Sequence, residues 1–483
     1  MSNNIVDTEQ GSSTPLPDNT NTIFARLFSL DVIRGVALLG ILIISIWEFG
    51  GFSSNEQNRL HLLRKGSDYY WLASTLLLFE GKMRALFSLV FGAGIVLYMQ
   101  KPNQPGLPST QELYIRRQMW LMAFGVVNAF VLLWPGDILF QYGVMGILLF
   151  PFFRMGKKSL LIAAIIVTLI YCGKMYWFYA DDHKAYKKFK AIELIEQKNK
   201  KDSAAQHVKD SLSGMSKAEL AKSDSLFKEK TKLNRIQEGD KARWEGLAKS
   251  LKYDTTKGPE KGEKAAMWGN YKKVWQHLYQ RAQGQEAAWL YRIGVWDISS
   301  MMLLGMALFG FGFFNNRLST GTYVLLAIIG IAAGLLLGWL RLDLQYSKHV
   351  DYIKYLSNKA ISPTQFFPFE RLLMALGYAS LLMLLIRIKL LHWLWEAFAA
   401  TGRLALSNYL MQTILCTLFF YGYGFGYFGR LSLTQLYFFV AEIWIIQLVF
   451  SVFWLRFYQY GPVEWLWRCL VYQKRFSNKK EIA

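Results

Sequence analysis

The chain has 483 residues, 53% of them apolar and 16% aromatic, and a formal net charge of +21. In a soluble protein that charge would point to nucleic acid, but no nucleic-acid recognition module is visible. The apolar residues are gathered in long runs that a soluble domain of ordinary size could not bury on every side, which excludes an ordinary globular enzyme.

In chain order, residues 1–22 are polar and rich in Ser, Thr and Asn. They read as a disordered cytoplasmic lead-in, not a secretory leader. A membrane helix needs roughly 20 mostly apolar residues. Ten runs approach that length: 31–50, 84–99, 119–134, 138–153, 160–179, 293–314, 323–340, 372–391, 404–423 and 436–455. The expected fold is therefore all-α, a polytopic transmembrane bundle of about ten spans. Five spans fall in 23–179 and five in 289–455, with an amphipathic cytoplasmic tail over 456–483. Two shorter apolar stretches, 69–80 and 391–400, read as half-helices lying at opposite interfaces, because Tyr69, Tyr70, Trp71, Trp393 and Trp395 suit that depth.

Residues 180–288 are a different material, a polar basic insert dominated by Lys, Asp, Glu, Gln and Ser. Apolar residues three and four apart in 184–201 and 217–234 predict helix, as a hairpin standing on the fifth and sixth spans; a disordered charged loop is the alternative. Trp244, Trp268, Trp275 and Trp289 call for packing against something, the membrane interface included. Cations cluster beside the apolar runs, among them Arg116, Arg117, Arg154, Arg403 and Arg468. By the positive-inside rule these place both termini in the cytoplasm and the insert outside, with anionic lipid as a further partner of the basic flanks. Cys172, Cys416 and Cys469 form no metal-ligand pattern and no redox pair.

Polar residues near or inside apolar runs need a reason, since a charge at the bilayer centre costs about 2.5–3.5 kcal/mol on insertion scales. Asp31 and Arg34 are three apart on one helix face, either an internal ion pair or a substrate site, and Gly35 and Gly40 admit a close neighbour. Glu80, Lys82 and Arg84 form either a helix-end cluster or the lining of an outward-facing cavity, with Gly92 and Gly94 beyond them. Asn128, Asp137 and Gln141 frame the third and fourth spans; Asp137 is a helix cap or a catalytic carboxylate. Arg403, Asn408 and Gln412 enter the ninth span, where Asn408 and Gln412 share a face suited to interhelical hydrogen bonds. The block Gly461–Arg468 reads as an amphipathic interfacial helix. No Walker, HExxH or GxSxG pattern occurs.

Several of these blocks resemble the YeiB-like family of bacterial inner-membrane proteins, a domain of unknown function. The resemblance is carried by Leu30-Asp31-Val32-Ile33-Arg34-Gly35, Glu80-Gly81-Lys82, Tyr114-Ile115-Arg116-Arg117 and Gly136-Asp137-Ile138-Leu139. It is strongest in the 402–412 and 461–468 blocks. The family is in turn similar, more distantly, to transmembrane acyltransferases, whose first helix opens with the Asp, Arg and Gly matched here by Asp31, Arg34 and Gly35. That resemblance implies an inner-membrane location and transfer of an acyl group from a cytoplasmic donor such as acyl-CoA to an envelope glycan or lipid. It departs at Ser45 and Gln412, which stand where those acyltransferases have His. The six His residues all fall outside the apolar runs.

Three functions follow as expectations. An acyltransferase would bind its donor through Arg34 and Arg403 and use Asp137 or Glu80 as base. A transporter or exporter of a small anion would use the same intramembrane Arg, Asn and Gln residues. An envelope sensor or assembly protein would hold a partner through the insert.

Overall fold

The computed structural model describes residues 27–480 apart from 53–56, 58–59, 61–64, 104, 106, 252–260, 351–355, 357–362 and 389–390. The lead-in 1–22, His61 and the side chain of His349 lie outside the described residues. The described elements are α-helical, with short 3-10 and π segments and no strand longer than an isolated bridge between Tyr458 and Lys479.

Helix α1 (Phe28–Gly50) is the central post, with most of its residues buried. After α2 (Ser67–Leu78) the chain turns at Gly81, φ +70°, and continues as α3 (Lys82–Met99). The apolar stretch 69–80 is thus a half-helix jointed to a span, as its length suggested. Helix α4 (Thr110–Phe130) starts with a Ser109 cap, and α5 (Leu139–Leu149) is short and ends in a 3-10 turn at Pro151. Helix α6 (Lys157–Leu212) runs 56 residues without a break, roughly 80 Å at 1.5 Å per residue, far more than a bilayer needs.

The distal half of α6 forms the insert with α7 (Lys217–Lys230) and α8 (Arg235–Leu251). Ion pairs Arg243–Asp181 and Lys188–Asp240 set α8 antiparallel to α6, and Trp244 is buried on Tyr186 and Phe189. The insert is therefore the expected helical hairpin. Trp244 seals it from within; it does not meet the membrane interface. Helix α9 (Lys261–Met267) leads to α10 (Tyr271–Gln283), which passes through a π-helical stretch, Gly284–Gly294, into α11 (Val295–Gly310). Trp268 donates to the Phe428 carbonyl and Trp289 lies under Arg84, so these two tie the end of the insert to the bundle, whereas Trp275 packs on Tyr279 of its own helix.

Helices α12 (Thr320–Val350) and α13 (Phe367–Ile388) pair along their length. The bundle closes with α14 (His392–Arg403), α15 (Ala405–Phe420), α16 (Leu433–Phe457) and α17 (Pro462–Tyr472). Among the described residues, seven helical segments are long and apolar enough to cross a membrane: 28–50, 67–99, 157–212, 271–310, 320–342, 364–388 and 433–457. Apolar side chains such as Ile162, Ile166, Leu169, Ile328 and Phe438 stand exposed along them, as on a lipid-facing surface. The other runs of the ten fall on α4, on the short α5 and on the short α15.

The stretch 391–400 does form a short helix, and α14 is wedged between α1 and α16, with Leu391, His392, Trp393 and Glu396 exposed and Trp395, Ala397, Ala399 and Ala400 buried. Two glycines make the wedge possible: a Cβ on Gly402 would lie 1.9 Å from the Asp31 carbonyl oxygen, and one on Gly35 would lie 2.1 Å from that of Phe398. Backbones can approach this closely only where side chains are missing.

Candidate functional site

The starts of α1, α4 and α15, the end of α3 and the whole of α17 converge at one end of the bundle, opposite the insert. There they enclose a cavity of about 540 Å³. Lys101 at its rim is exposed, so the cavity opens at this end. Phe87 and Tyr98 both line it, and eleven residues of helix separate them, so it reaches about 16 Å along α3. That is about half the thickness of a hydrocarbon core.

Five cations line the cavity, Arg34, Lys101, Arg117, Arg403 and Arg468, against two carboxylates, Asp31 and Glu464. Both carboxylates are engaged by the protein. Arg34 donates to Asp31 Oδ1 at 2.8 Å, the ion pair that their spacing allowed. Glu464 reaches from α17 to the first turn of α15, where Oε1 accepts from the Leu406 and Ser407 N–H groups at 2.7 and 3.0 Å. Ser407 Oγ lies 2.5 Å from Oε2. Helix α15 has no side-chain cap of its own, so a carboxylate from another helix supplies it. This contact explains why the 402–412 and 461–468 blocks belong together. A Cβ on Gly461 would lie 2.1 Å from Glu464 Oε2 and 2.9 Å from Ser407 Oγ. Burial pushes the Glu464 carboxyl up from its ordinary value, against the opposing pull of these hydrogen bonds.

Aromatic rings hold the cations in place. Arg117 lies 3.9 Å from the Trp467 ring centroid, and Arg468 lies over Tyr460, Tyr472 and Phe476. The deeper wall is apolar and aromatic, with Phe87, Phe91, Leu121 and Ile138, and ends at Tyr142 and Tyr409. Tyr142 Oη is 2.5 Å from Ser88 Oγ and donates to the Arg84 carbonyl.

Of the residues singled out in the sequence, Asp31, Arg34 and Arg403 meet in this cavity. Glu80, Lys82 and Arg84 do not line an open cavity; they belong to a buried charge network towards the insert end. Lys82 Nζ lies 2.5 Å from Glu370, Arg341 bridges Glu370 and Glu80 at 2.7 and 2.8 Å, and Asp297 pairs with both Arg84 and Arg371. Four cations thus meet three carboxylates, across α2–α3, α11, α12 and α13. Asp137 takes the capping role: it accepts from the Phe140 N–H at 3.0 Å and from Asn128 Nδ2 at 2.8 Å. Gln141 is fully buried beside it. Asn408 donates to Ser451 and Gln412 to Gln447, so this pair knits α15 to α16 as interhelical hydrogen bonds.

Sequence reasoning missed Asp297, Glu370 and Arg371. Glu370 and Arg371 stand just before the 372–391 run and Asp297 in the first turns of the 293–314 run, where a charge reads as a boundary, and only the fold turns that boundary inward. Glu286 was missed because it sits in the polar insert by composition. Gly92 does serve close packing, its Cβ position 2.0 Å from the Met302 carbonyl oxygen, whereas Gly94 has nothing within 4 Å and lines the cavity. Among the described residues no group of His, Cys, Asp and Glu is arranged to hold a metal ion.

Residues 308–474 match a family described as a protein of unknown function (DUF418). The chain is 28% identical over 455 residues to the uncharacterised protein YeiB of Escherichia coli (strain K12), covering 92% of this chain and 96% of that protein. It is 27% identical over 466 residues to the uncharacterised protein YxaH of Bacillus subtilis (strain 168), covering 92% and 94%. An uncharacterised 39.9 kDa protein in the amylase 3' region of Bacillus acidopullulyticus is 23% identical over 454 residues, covering 93% and 95%. No solved structure matches the chain. The 308–474 match takes in α14, α15 and α17, which build one wall of the cavity.

Proposed function

We propose that this protein is an inner-membrane acyltransferase that receives an acyl-CoA donor in the cavity from the cytoplasm and passes the acyl group to an envelope glycan or lipid. The observation that carries the reading is the union of a cationic mouth with an apolar floor in one cavity. Five cations suit the phosphates of such a donor, and guanidinium groups bind phosphate in a bidentate manner. The pantetheine arm and acyl group would lie along Phe87, Phe91 and Leu121 towards Tyr142 and Tyr409. Asp137 sits immediately behind the Ile138–Leu139 wall and is the carboxylate best placed to accept the acceptor's proton. Glu80, held by Arg341, is committed elsewhere.

The test uses purified protein with labelled acetyl-CoA and cell-envelope glycans and lipids. Labelled product is expected, and Arg34→Gln and Arg403→Gln should each weaken donor binding about tenfold, as loss of one charged contact does. Lack of transfer across a broad acceptor panel would sink the reading.

A second reading, export of a small organic anion, draws on Tyr142. Its hydroxyl joins the cavity floor to the Arg84 backbone, and through Arg84 to the charge network at the other end. Uptake into proteoliposomes that proceeds without any acyl donor would favour it.

A further inference from the structure

The insert holds a groove that shares no residue with the donor cavity. Lys241–Glu196 is an ion pair between α8 and α6, and beyond it α6 runs on against α7. Asn199 Nδ2 donates to the Thr231 carbonyl at 3.1 Å, and His207 Nδ1 lies 3.0 Å from Asp224 Oδ2. The two helices are therefore antiparallel and joined at both ends of this stretch. A groove of about 570 Å³ lies along it, lined by residues of α6 and α7. Eight residues of helix separate Asn199 from His207, so the groove is about 12 Å long. Ala204, Val208 and Phe227 give it an apolar part. Lys200 and Lys228, one from each side, make it cationic, and Ser203 adds a hydroxyl. The single carboxylate among the lining residues is Asp224, which already meets His207.

The charge around this groove is left uncompensated. Residues 198–232 carry nine lysines against five carboxylates. Gln206 and Ser223 donate to Asp210 at 2.8 and 2.7 Å, and Ser216 donates to Glu219 through its N–H and its hydroxyl. Neutral groups thus occupy carboxylates that lysines could have used. Among the described residues none of the nine lysines forms an ion pair, whereas Lys188, Lys190 and Lys241, nearer the bundle, are each paired.

Place and lining select among anions. The lipid of the protein's own bilayer is out of reach. From Tyr179, where the apolar run ends, to Lys200 is 21 residues of unbroken helix, about 30 Å, and salt screens a charged surface within about 8 Å. A second copy of the insert would bring the same positive charge. An acidic amphipathic helix calls for an apolar strip along the groove, and Asn199, Ser203 and Thr231 interrupt one. A sugar chain answers every part. Its C–H faces suit the electron-rich face of Phe227, its hydroxyls suit Ser203, and acidic substituents suit lysine ammonium groups.

We propose that the groove between α6 and α7 binds an anionic glycan, a sugar chain carrying phosphate or carboxylate groups, with Lys200 and Lys228 on its charges and Phe227 against a ring. The insert then holds an acidic polymer at a distance from the bilayer, whatever the cavity does. The inference needs no acyl donor and stands apart from the acyl-transfer reading.

The test places full-length protein in nanodiscs of phosphatidylcholine, which add no anionic lipid, and follows binding by fluorescence anisotropy. The probes are labelled alginate oligosaccharides, which carry carboxylates, and phosphomannan oligosaccharides, which carry phosphates. Neutral dextran oligosaccharides and poly-L-glutamate are the controls. At least one acidic glycan should bind, more tightly than poly-L-glutamate, and dextran should not bind. Lys200→Gln combined with Lys228→Gln should weaken glycan binding at least fivefold. Lys209→Gln combined with Lys222→Gln removes the same charge outside the groove and should change it less than twofold. All four lysines are exposed, so neither double variant disturbs the packing. Equal losses in the two double variants would show a diffuse charged surface and overturn the proposal. So would tighter binding of poly-L-glutamate, which points to an acidic protein, or no binding of either acidic glycan. Failure of acyl transfer with glycan binding intact would count against the function proposed above and leave this site standing.

Discussion

Glu464→Ala removes the acceptor that α17 lends to α15. The Leu406 and Ser407 N–H groups lose their partner at 2.7 and 3.0 Å, and the Ser407 hydroxyl loses its own at 2.5 Å. An N–H group left unmet in a part-buried helix start costs about 1–3 kcal/mol, and the hydroxyl can turn to a new partner, so about 2–4 kcal/mol in all is expected. Glu464→Gln tells whether charge or shape matters. Its amide oxygen can accept both N–H bonds and its NH2 group can donate to Ser407 Oγ, mimicking the neutral acid. Burial raises the Glu464 carboxyl, so the folded chain holds this proton more tightly than the unfolded chain does. The group's contribution is thus fully present below the ordinary Glu value and declines as pH rises from there through the raised folded-state value. The assay is thermal unfolding in detergent, followed by tryptophan fluorescence between pH 4 and 8. Glu464→Ala should melt lower than wild type at every pH, and Glu464→Gln should stay near wild type with a flatter pH profile. A Glu464→Ala protein as stable as wild type, or a Glu464→Gln protein as damaged as Glu464→Ala, would refute the capping argument.

Other outcomes follow from the same packing. Gly402→Ala sets a Cβ 1.9 Å from the Asp31 carbonyl oxygen and must push α14 off α1, with a loss of about 1–3 kcal/mol read as a lower melting temperature. Gly94→Ala meets nothing within 4 Å and should melt at or slightly above wild type, since Ala favours helix over Gly by about 1 kcal/mol. Asp297→Asn strips Arg371 and Arg84 of their carboxylate at a fully buried site and should cost about 3–5 kcal/mol, seen as poor yield of folded protein in a detergent size-exclusion profile. Trp467→Ala removes the ring under Arg117; it should weaken nucleotide-phosphate binding in the cavity several-fold while leaving the fold intact by circular dichroism.

The all-α membrane architecture and the helical hairpin of 180–288 were legible because they rest on local rules. Apolar runs of span length, and apolar residues three and four apart, need no partner to be recognised. The pairing of Asp31 with Arg34 and the capping by Asp137 were legible for the same reason, as each joins residues three apart. What the chain order could not tell was which polar residues meet across the bundle. Arg34 and Arg403 share a cavity only because Gly35 and Gly402 let α14 press on α1, and Glu464 caps α15 only because α17 folds back over it. For Glu80, Lys82 and Arg84 the sequence left a helix-end cluster and a cavity lining both open, and only Glu370, Arg341 and Asp297, brought from three other helices, show what they pair with. In a low-dielectric bundle a polar group must find its partner wherever the fold places one, and the distance along the chain carries no information about where that is. Sequence alone thus determined that the protein is helical, built from membrane-length segments and basic. Tertiary structure decided which of its charges are spent on each other and which are gathered, five to two, around a cavity.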